Sequence, residues 1–199
     1  MDKSLFKNTT FFTTVDRLQD LPNYHCREVA FAGRSNVGKS SAINKITNQS
    51  RLAYASKTPG RTRHMNYFQL APQRYLVDLP GYGYARVPEN IRRHWEELVS
   101  EFLETRESLS GLIVLMDIRH PLTKLDLQLL DWFRITGKPA HILLTKSDKL
   151  TNERARKTLV SVKNAIVDLY PTYDIQLFSS ETSAGVDQAR SVISDWLGV

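Results

Sequence analysis

The chain has 199 residues, of which 41% are hydrophobic and 24% charged, a composition that fits one compact globular domain. Its longest aliphatic run, at residues 112–116, is far too short to span a bilayer, and the N-terminus lacks the apolar core of a secretory signal. Cys26 is the only cysteine, which excludes an internal disulfide. We therefore expect a cytoplasmic protein with no membrane association.

The net charge of +6 comes from one segment of the chain. Residues 29–77 contain eight lysines and arginines and no acidic residue, whereas the rest of the chain has fewer cations than acids. A polyanionic partner, either nucleotide phosphates or RNA, would explain this clustering. A solvated basic face without a partner would explain it too.

Taken in chain order, the first 27 residues are polar and are expected to form an extension packed on the domain made by residues 28–199. Beyond them, apolar runs predict strands at 28–33, 65–71, 74–79, 111–117, 140–145 and 174–179. Apolar residues at helical spacing predict helices over 91–102, 155–169 and 186–196. The alternation predicts an α/β fold in three layers, with a mainly parallel six-stranded sheet between helices. Ligands of such sheets bind at the carboxyl ends of the strands.

The first predicted strand runs directly into GRSNVGKSS, which fits the phosphate-binding pattern G-x-x-x-x-G-K-[ST] and leads into a helix. The candidate phosphate-binding residues are Gly33, Arg34, Ser35, Asn36, Val37, Gly38, Lys39 and Ser40. The glycines let backbone N–H groups face phosphate oxygens, Lys39 would contact the β and γ phosphates, and the Ser40 hydroxyl would bind Mg²⁺.

Asn36, inside this loop, has two interpretations. Its side-chain carbonyl would help to hold a monovalent cation, K⁺, beside the phosphates. Alternatively, it only stabilises the turn, as asparagine often does in loops.

The third predicted strand in the chain ends in VDLPG, which places an acid and a glycine at the same edge of the sheet. Asp78 would hold Mg²⁺ directly or through water, and the Gly81 N–H would meet a γ-phosphate. Leu79 and Pro80 lie between them, and Tyr82 follows.

Two further segments predict a guanine site. The segment TKSD comprises Thr145, Lys146, Ser147 and Asp148, and the segment FSS comprises Phe178, Ser179 and Ser180. The Asp148 carboxylate accepts hydrogen bonds from the N1–H and N2–H₂ edge of guanine, which adenine does not offer, while the Lys146 stem would cover the base. A backbone N–H of FSS would donate to guanine O6.

The loop SKTPGRTRH, at residues 56–64, is rich in cations and turn formers. Thr58 or Thr62 would supply a second hydroxyl to Mg²⁺ when this loop closes, and the residues alone do not select one. An ordinary surface loop is the other interpretation.

Together, GRSNVGKSS, SKTPGRT, VDLPGYGYA, LMDIRHP, LTKSD and FSS resemble the EngB (YihA/YsxC) family of bacterial GTP-binding proteins. The resemblance implies a Ras-like GTPase domain that binds GTP or GDP with Mg²⁺, acts in assembly of the large (50S) ribosomal subunit and supports normal septation and cell division. It also implies a first switch made of Gly60, Arg61, Thr62, Arg63 and His64, and a second switch made of Asp78, Leu79, Pro80 and Gly81. Thr62 would then join Ser40 and Asp78 on the metal, and Lys39, Thr62 and Gly81 would be the catalytic groups. Thr145 replaces the usual asparagine, so a weaker tie between the base loop and the phosphate loop is expected.

Ras-like enzymes orient water with a glutamine after the glycine equivalent to Gly81, and this chain has Tyr82 there. A phenol does not orient water as an amide does, so we expect slow intrinsic hydrolysis with the stimulating group supplied from elsewhere. This stimulating group has three candidate sources. The first is K⁺ held partly by Asn36, the second is Arg61 or Arg63 of the same chain, and the third is the ribosome.

The sequence thus favours a monomeric GTP-controlled factor that docks rRNA or ribosomal protein in one nucleotide state. Further cations extend this basic surface or are simply solvated: Arg92, Arg93, His94, Arg119 and His120. A small-molecule kinase is the alternative from another class, although a guanine motif would be unexpected in it. A nucleotide-binding adaptor with little turnover is the third interpretation.

Overall fold

The computed structural model describes residues 3–22, 24–54, 64–83 and 89–199. Its strands are β1 (Thr10–Val15), β2 (Arg27–Gly33), β3 (Met65–Ala71), β4 (Arg74–Asp78), β5 (Leu109–Asp117), β6 (Ala140–Thr145) and β7 (Tyr173–Leu177). Its helices are α1 (Lys3–Lys7), α2 (Lys39–Ile46), α3 (Glu89–Thr105), α4 (Lys124–Arg134), α5 (Asn152–Ile166) and α6 (Val186–Leu197). None of the helices in these ranges is long and apolar enough to cross a membrane.

The strands form one sheet in the order β1-β3-β4-β2-β5-β6-β7. Strands β4, β2, β5, β6 and β7 are parallel, while β3 is antiparallel to β4, and β1 is antiparallel to β3. Since the chain leaves β2 toward β4 on one side and later returns to β5 on the other, the carboxyl end of β2 lies at a switch point of the topology. Ligands of open α/β sheets bind at such a point.

Helices cover both faces of the sheet, and the strand sequences show why. Successive side chains of a strand point to opposite faces. In β2, Ala30 and Ala32 pack under α3, α4 and α5, while Val29 and Phe31 pack under α1, α2 and α6. Both sets are buried, so the strand is apolar from Val29 onward rather than alternating.

The predicted α/β class, the three layers and the mainly parallel sheet are confirmed, but the predicted number of strands is wrong. The described residues form seven strands, and the additional one is β1, in the segment that we expected only to pack on the domain. Its residues carry exposed threonines and phenylalanines, so the pattern lacks the apolar run that marks the central strands. Hydrogen bonds to β3 stabilise it at the sheet edge, where its last residue, Val15, and Phe6 of α1 are buried.

Helix α4 was also absent from the predicted elements. It begins with a capping box, in which the Thr123 hydroxyl accepts from the Asp126 N–H and the Asp126 carboxylate accepts from the Thr123 N–H. It buries Leu129, Leu130 and Phe133 at helical spacing against the sheet. The sequence contains both signals for this helix, namely the capping residues and the helical spacing of the apolar residues.

Candidate nucleotide-binding site

The phosphate loop lies between β2 and α2. A Cβ at Gly33 would lie 2.8 Å from Val37 Cγ1 and 3.0 Å from the Leu115 oxygen, so a side chain would displace the loop or β5. Asn36 and Gly38 have φ angles of 63° and 102°, in the left-handed region that asparagine and glycine tolerate best. These residues curl the loop over the end of β2.

Helix α2 presents free amides to the same loop. Its first backbone bond runs from the Ala42 N–H to the Gly38 oxygen, at 2.8 Å. The N–H groups of residues 39–41 therefore have no acceptor within the helix. Free amides and the positive end of a helix dipole together attract an anion, so this loop suits phosphate groups.

Lys39 and Asp78 meet inside this loop. The Lys39 ammonium donates a hydrogen bond to Asp78 Oδ1, and both side chains are largely shielded from water, with exposures of 10% and 3%. Asp78 comes from the end of β4 and Lys39 from the start of α2, so the fold brings the two predicted groups together. Ser40 follows Lys39 in the first turn and is partly exposed.

The second-switch residues lie directly against the phosphate loop. Leu79 and Pro80 are buried, and the Leu79 N–H donates to the Phe31 oxygen at 3.1 Å. A Cβ at Gly81 would lie 3.4 Å from both the Gly33 oxygen and the Ser35 nitrogen. The backbone of Gly81 thus runs past the loop at van der Waals distance.

Tyr82 closes this contact with two backbone hydrogen bonds. Its N–H donates to the Gly33 oxygen at 3.2 Å, and its own oxygen accepts from the Ser35 N–H at 2.8 Å. Nearby, the Arg34 Nε is buried and has no hydrogen-bond partner among the described residues. The phosphate loop and the start of the second switch therefore form one connected backbone unit.

The base segment TKSD is tied to the phosphate loop. The Thr145 hydroxyl donates to the Val37 oxygen at 2.8 Å, with a second, longer contact of 3.2 Å to the Met116 oxygen. The Lys146 ammonium donates to the Asn36 oxygen at 2.9 Å, so its stem spans the gap between the two loops. Thr145 thus connects the base segment to the phosphate loop by a hydrogen bond, where we expected a weaker connection without an asparagine.

Asp148 is held by the segment FSS. The Ser179 hydroxyl donates to Asp148 Oδ1 at 2.6 Å, and Lys149 lies 3.0 Å from Oδ2. The Ser179 hydrogen bond, with a smaller contribution from Lys149, holds the pKa of Asp148 below its usual range, so the carboxylate stays ionised and accepts hydrogen bonds. Phe178 is fully buried and Ser180 is partly exposed beside them. The Ser147 N–H donates to the Phe178 oxygen at 3.1 Å, which joins the two segments.

Asp117, at the end of β5, joins this site although the sequence reasoning gave it no role. It accepts from the Arg119 side chain at 2.9 and 2.7 Å and from Lys146 Nζ at 3.0 Å. Hydrogen bonds from Arg119 and Lys146 hold the pKa of Asp117 well below its ordinary value, although burial opposes them. The sequence signal for this role was an acidic residue at the end of a central strand. That strand, β5, lies between β2, which precedes the phosphate loop, and β6, which precedes the base segment.

Among the first-switch candidates, the structure describes His64 and not the others. Thr58, Gly60, Arg61, Thr62 and Arg63 lie outside the described residues. His64 is described and contacts the Asp16 carboxylate through Nδ1. It lies just before β3, whose Asn66 pairs with Asp78, so it is at the nucleotide edge of the sheet.

The oxygen donors beside the phosphate loop suit a magnesium ion. No group of three histidine, cysteine or acidic side chains able to hold a metal occurs in the described part of the chain. The donors that fit Mg²⁺ are the Ser40 hydroxyl and the Asp78 carboxylate, which are oxygens. Mg²⁺ typically takes one or two protein ligands together with substrate phosphates, so this sparse set fits magnesium with a bound nucleotide.

Several known proteins are similar to this chain in sequence. A family model described as "50S ribosome-binding GTPase" matches residues 28–146. The chain is 57% identical over 196 residues to the probable GTP-binding protein EngB of Nitrosomonas europaea, covering 98% of this chain and 88% of that one. The EngB proteins of Laribacter hongkongensis and Neisseria meningitidis serogroup B are 56% and 52% identical and cover 96% and 98% of this chain and 86% and 93% of their own. The chain belongs to the EngB family. It is a GTP-binding protein of the GTPase class, and the predicted family is confirmed.

Solved structures agree on the fold. A crystal structure of a probable GTP-binding protein EngB matches with a TM-score of 0.69 at 18% identity, covering 86% of this chain and 98% of that chain. Era, solved in complex with MgGDPNP and nucleotides 1506–1542 of 16S ribosomal RNA, matches with a TM-score of 0.64 at 18% identity, covering 88% of this chain and 58% of that chain. This EngB-family chain therefore has the Ras-like P-loop GTPase fold.

Proposed function

We propose that this EngB-family chain binds GTP with Mg²⁺, hydrolyses it slowly to GDP and phosphate, and uses the nucleotide state to control docking on the large ribosomal subunit. The hydrogen bonds from Thr145 and Lys146 to the oxygens of Val37 and Asn36 carry the proposal. They fix the distance between a phosphate loop and a carboxylate suited to guanine. One ligand that combines a guanine base with a phosphate chain fits such a pair of sites.

The Lys39–Asp78 pair supports the phosphate and metal assignment. On nucleotide binding, Lys39 would turn to the β and γ phosphates, while Asp78 and Ser40 would hold Mg²⁺. Bound magnesium would neutralise charge on the phosphate oxygens. Gly81, whose backbone already borders the phosphate loop, would present its N–H to the γ-phosphate. Thr62 completes the proposed metal set, and its assignment rests on the family resemblance.

Slow hydrolysis is supported by the direction of the Tyr82 side chain. Its hydroxyl donates to Asp126 Oδ1 at 2.8 Å, on α4, rather than to a group of the phosphate loop. Tyr82 does not replace a water-orienting glutamine from this position. The missing group would come from K⁺ beside Asn36, from Arg61 or Arg63, or from the ribosome. The left-handed backbone of Asn36 gives the residue a role in the turn, and its exposed side chain is accessible to a cation.

The ribosomal part of the proposal has three supports. The matching family model is described as a 50S ribosome-binding GTPase, Era of similar fold was solved with a ribosomal RNA fragment, and residues 29–77 are free of acids. Basic surfaces bind RNA through its phosphates, and this attraction weakens as salt rises. We therefore propose a role in assembly of the large subunit, while the cytoplasmic location and impaired cell division on loss of the protein are proposals that rest on the family resemblance.

The deciding experiment measures GTP turnover by the purified protein in K⁺ and in Na⁺ buffer, with and without purified large ribosomal subunits. We expect turnover to rise when the subunits are added. An Asn36→Ala variant that keeps the K⁺ response would remove Asn36 from the cation site. Transfer of labelled γ-phosphate to a small acceptor would establish a kinase instead, and GTP binding with no phosphate release in any condition would establish an adaptor.

A further inference from the structure

Asp126, in the first turn of α4, is a buried carboxylate whose two oxygens serve different partners. Oδ2 accepts from the backbone N–H of Thr123 at 2.8 Å and from its hydroxyl at 2.7 Å. Oδ1 accepts from the Tyr82 hydroxyl at 2.8 Å. Since capping of α4 uses only Oδ2, the bond from Oδ1 to the second switch is a separate contact that helix formation does not require.

Tyr82 is therefore fixed at both ends. Its backbone pairs with Gly33 and Ser35 of the phosphate loop, and its hydroxyl is bound to Asp126 on α4. The ring between them packs in the apolar cluster under α3 and α4 and borders a cavity of about 30 Å³. Burial and the neighbouring Asp126 raise the pKa of Tyr82 well above its ordinary value, so the hydroxyl keeps its proton and remains a donor at neutral pH.

Gly81 immediately precedes this fixed residue, and its N–H is the proposed γ-phosphate donor. A backbone donor that is already held in place loses little conformational entropy when it binds a ligand. The backbone of Gly81 is held on its carboxyl side by Tyr82, whose N–H and oxygen pair with Gly33 and Ser35.

We infer that Asp126 is a positioning residue for the second switch: by accepting the Tyr82 hydroxyl it holds the ring against α4 and keeps Gly81 aligned with the phosphate loop. This inference rests on the proposed binding of GTP. Only GTP carries the γ-phosphate that Gly81 would meet, so the contact favours GTP over GDP. It also gives α4 a polar contact with the second switch, in addition to the packing of the Tyr82 ring.

The test compares two tyrosines that each donate to an aspartate of α4. Tyr82→Phe removes the bond to Asp126 and keeps the ring. Tyr170→Phe removes a bond of the same length, 2.8 Å from the Tyr170 hydroxyl to Asp131 Oδ1, at a place remote from the switch. Dissociation constants for GDP and for a non-hydrolysable GTP analogue are measured for both variants and the native chain.

We expect Tyr82→Phe to reduce the preference for the GTP analogue over GDP by roughly fivefold or more, since couplings between sites commonly begin at that size. Tyr170→Phe is expected to leave this ratio unchanged. Thr123→Ala, which weakens the capping box and leaves Oδ1 with Tyr82, is expected to lower stability and to leave the ratio unchanged. Asp126→Ala should act like Tyr82→Phe, and the double variant should show no further loss in the ratio.

The outcomes separate the inference from the proposed function. Native protein that binds neither nucleotide would overturn the proposed function. Native protein that binds both nucleotides, together with Tyr82→Phe at the native ratio, would overturn the positioning role and leave the proposed function standing. Because Tyr82→Phe retains the buried ring, the test holds even if Asp126→Ala does not fold.

Discussion

The hydroxyl of Thr145, at the end of β6, donates a hydrogen bond to the backbone oxygen of Val37 in the phosphate loop, 2.8 Å away. Both residues are buried, with exposures of 3% and 4%. The two are more than a hundred positions apart in the chain, so this single bond is a direct contact between the strand that carries the base segment and the loop that carries the phosphate segment. It follows that disturbing one segment will disturb the other.

Replacing Thr145 by valine removes the hydroxyl while conserving the shape of the side chain. The buried Val37 oxygen then loses this donor, a loss that typically costs about 1–3 kcal/mol. We expect the affinities for GDP and GTP to fall together by roughly tenfold, because about 1.4 kcal/mol corresponds to that factor. Isothermal titration gives both constants, and Thr145→Ser, which keeps the donor, serves as the control. Native affinities in the valine variant would show that the tie does not organise the site.

The second prediction concerns Asp148 and the choice between guanine and xanthine nucleotides. Asp148→Asn places an amide donor where the carboxylate accepts, so GTP should bind at least roughly tenfold more weakly and xanthosine triphosphate should bind better. Competition against a fluorescent nucleotide measures both changes. Ser179→Ala is the matched control, since it removes the bond that orients Asp148 and retains the carboxylate. It should weaken GTP binding without any gain for xanthosine triphosphate. Undiminished GTP binding by Asp148→Asn would remove the basis of the base site.

Central strands and glycine-containing loops were predictable from the sequence because local patterns determine them. The strands predicted at 65–71 and 140–145 match β3 and β6 at both ends. The loop of Gly33–Ser40 was predictable because its glycine spacing has a steric reason, which the 2.8 Å approach to Val37 Cγ1 at Gly33 now shows. Such features depend on a few neighbouring residues and on little else.

The features that escaped prediction depend on contacts between distant parts of the chain. Strand β1 is held by pairing with β3, and its own exposed residues give no apolar pattern. The bond between Tyr82 and Asp126 joins residues 44 positions apart. Asp117 gained its role only when the sheet order placed β5 beside β2 and β6. No motif names these partners, because a carboxylate becomes a specific acceptor only in a given tertiary setting.

His141, in β6, makes stability depend on pH near neutrality. Its ring is 1% exposed and its Nε2 donates to Gln176 Oε1 at 2.7 Å. Burial lowers the pKa of His141 below its ordinary value, despite opposing contributions from Gln176 and Asp174. The unfolded chain, with a histidine pKa of about 6.5, therefore takes up the proton first as pH falls. The free energy of unfolding should decrease from about pH 7.5 downward, by at most about 1.4 kcal/mol per pH unit from this group.

Urea unfolding of the native chain and of His141→Gln at several pH values tests this effect. The glutamine variant should show a flatter dependence, because its side chain does not titrate. His120→Gln, at an exposed histidine on the loop after β5, is the matched histidine-to-glutamine substitution. Parallel curves for the native chain and His141→Gln would contradict the assignment.

Gly111, near the start of β5, provides the last prediction, which separates stability from nucleotide binding. A Cβ at this position would lie 2.3 Å from Cε3 of Trp196, a contact that real atoms do not make, so the indole ring would have to move. Gly111→Ala should lower the free energy of unfolding by about 1–3 kcal/mol, as overpacked cores do. The preference for GTP over GDP should stay native, because Gly111 lies at the end of the strand away from the phosphate loop.

A double-mutant cycle with Trp196→Ala, measured by urea unfolding, identifies the cause of the destabilisation by Gly111→Ala. If the clash with the indole is the source, adding Gly111→Ala to Trp196→Ala should cost much less than adding it to the native chain, because the obstructing ring is gone. Equal costs in both backgrounds would place the strain in the strand backbone instead.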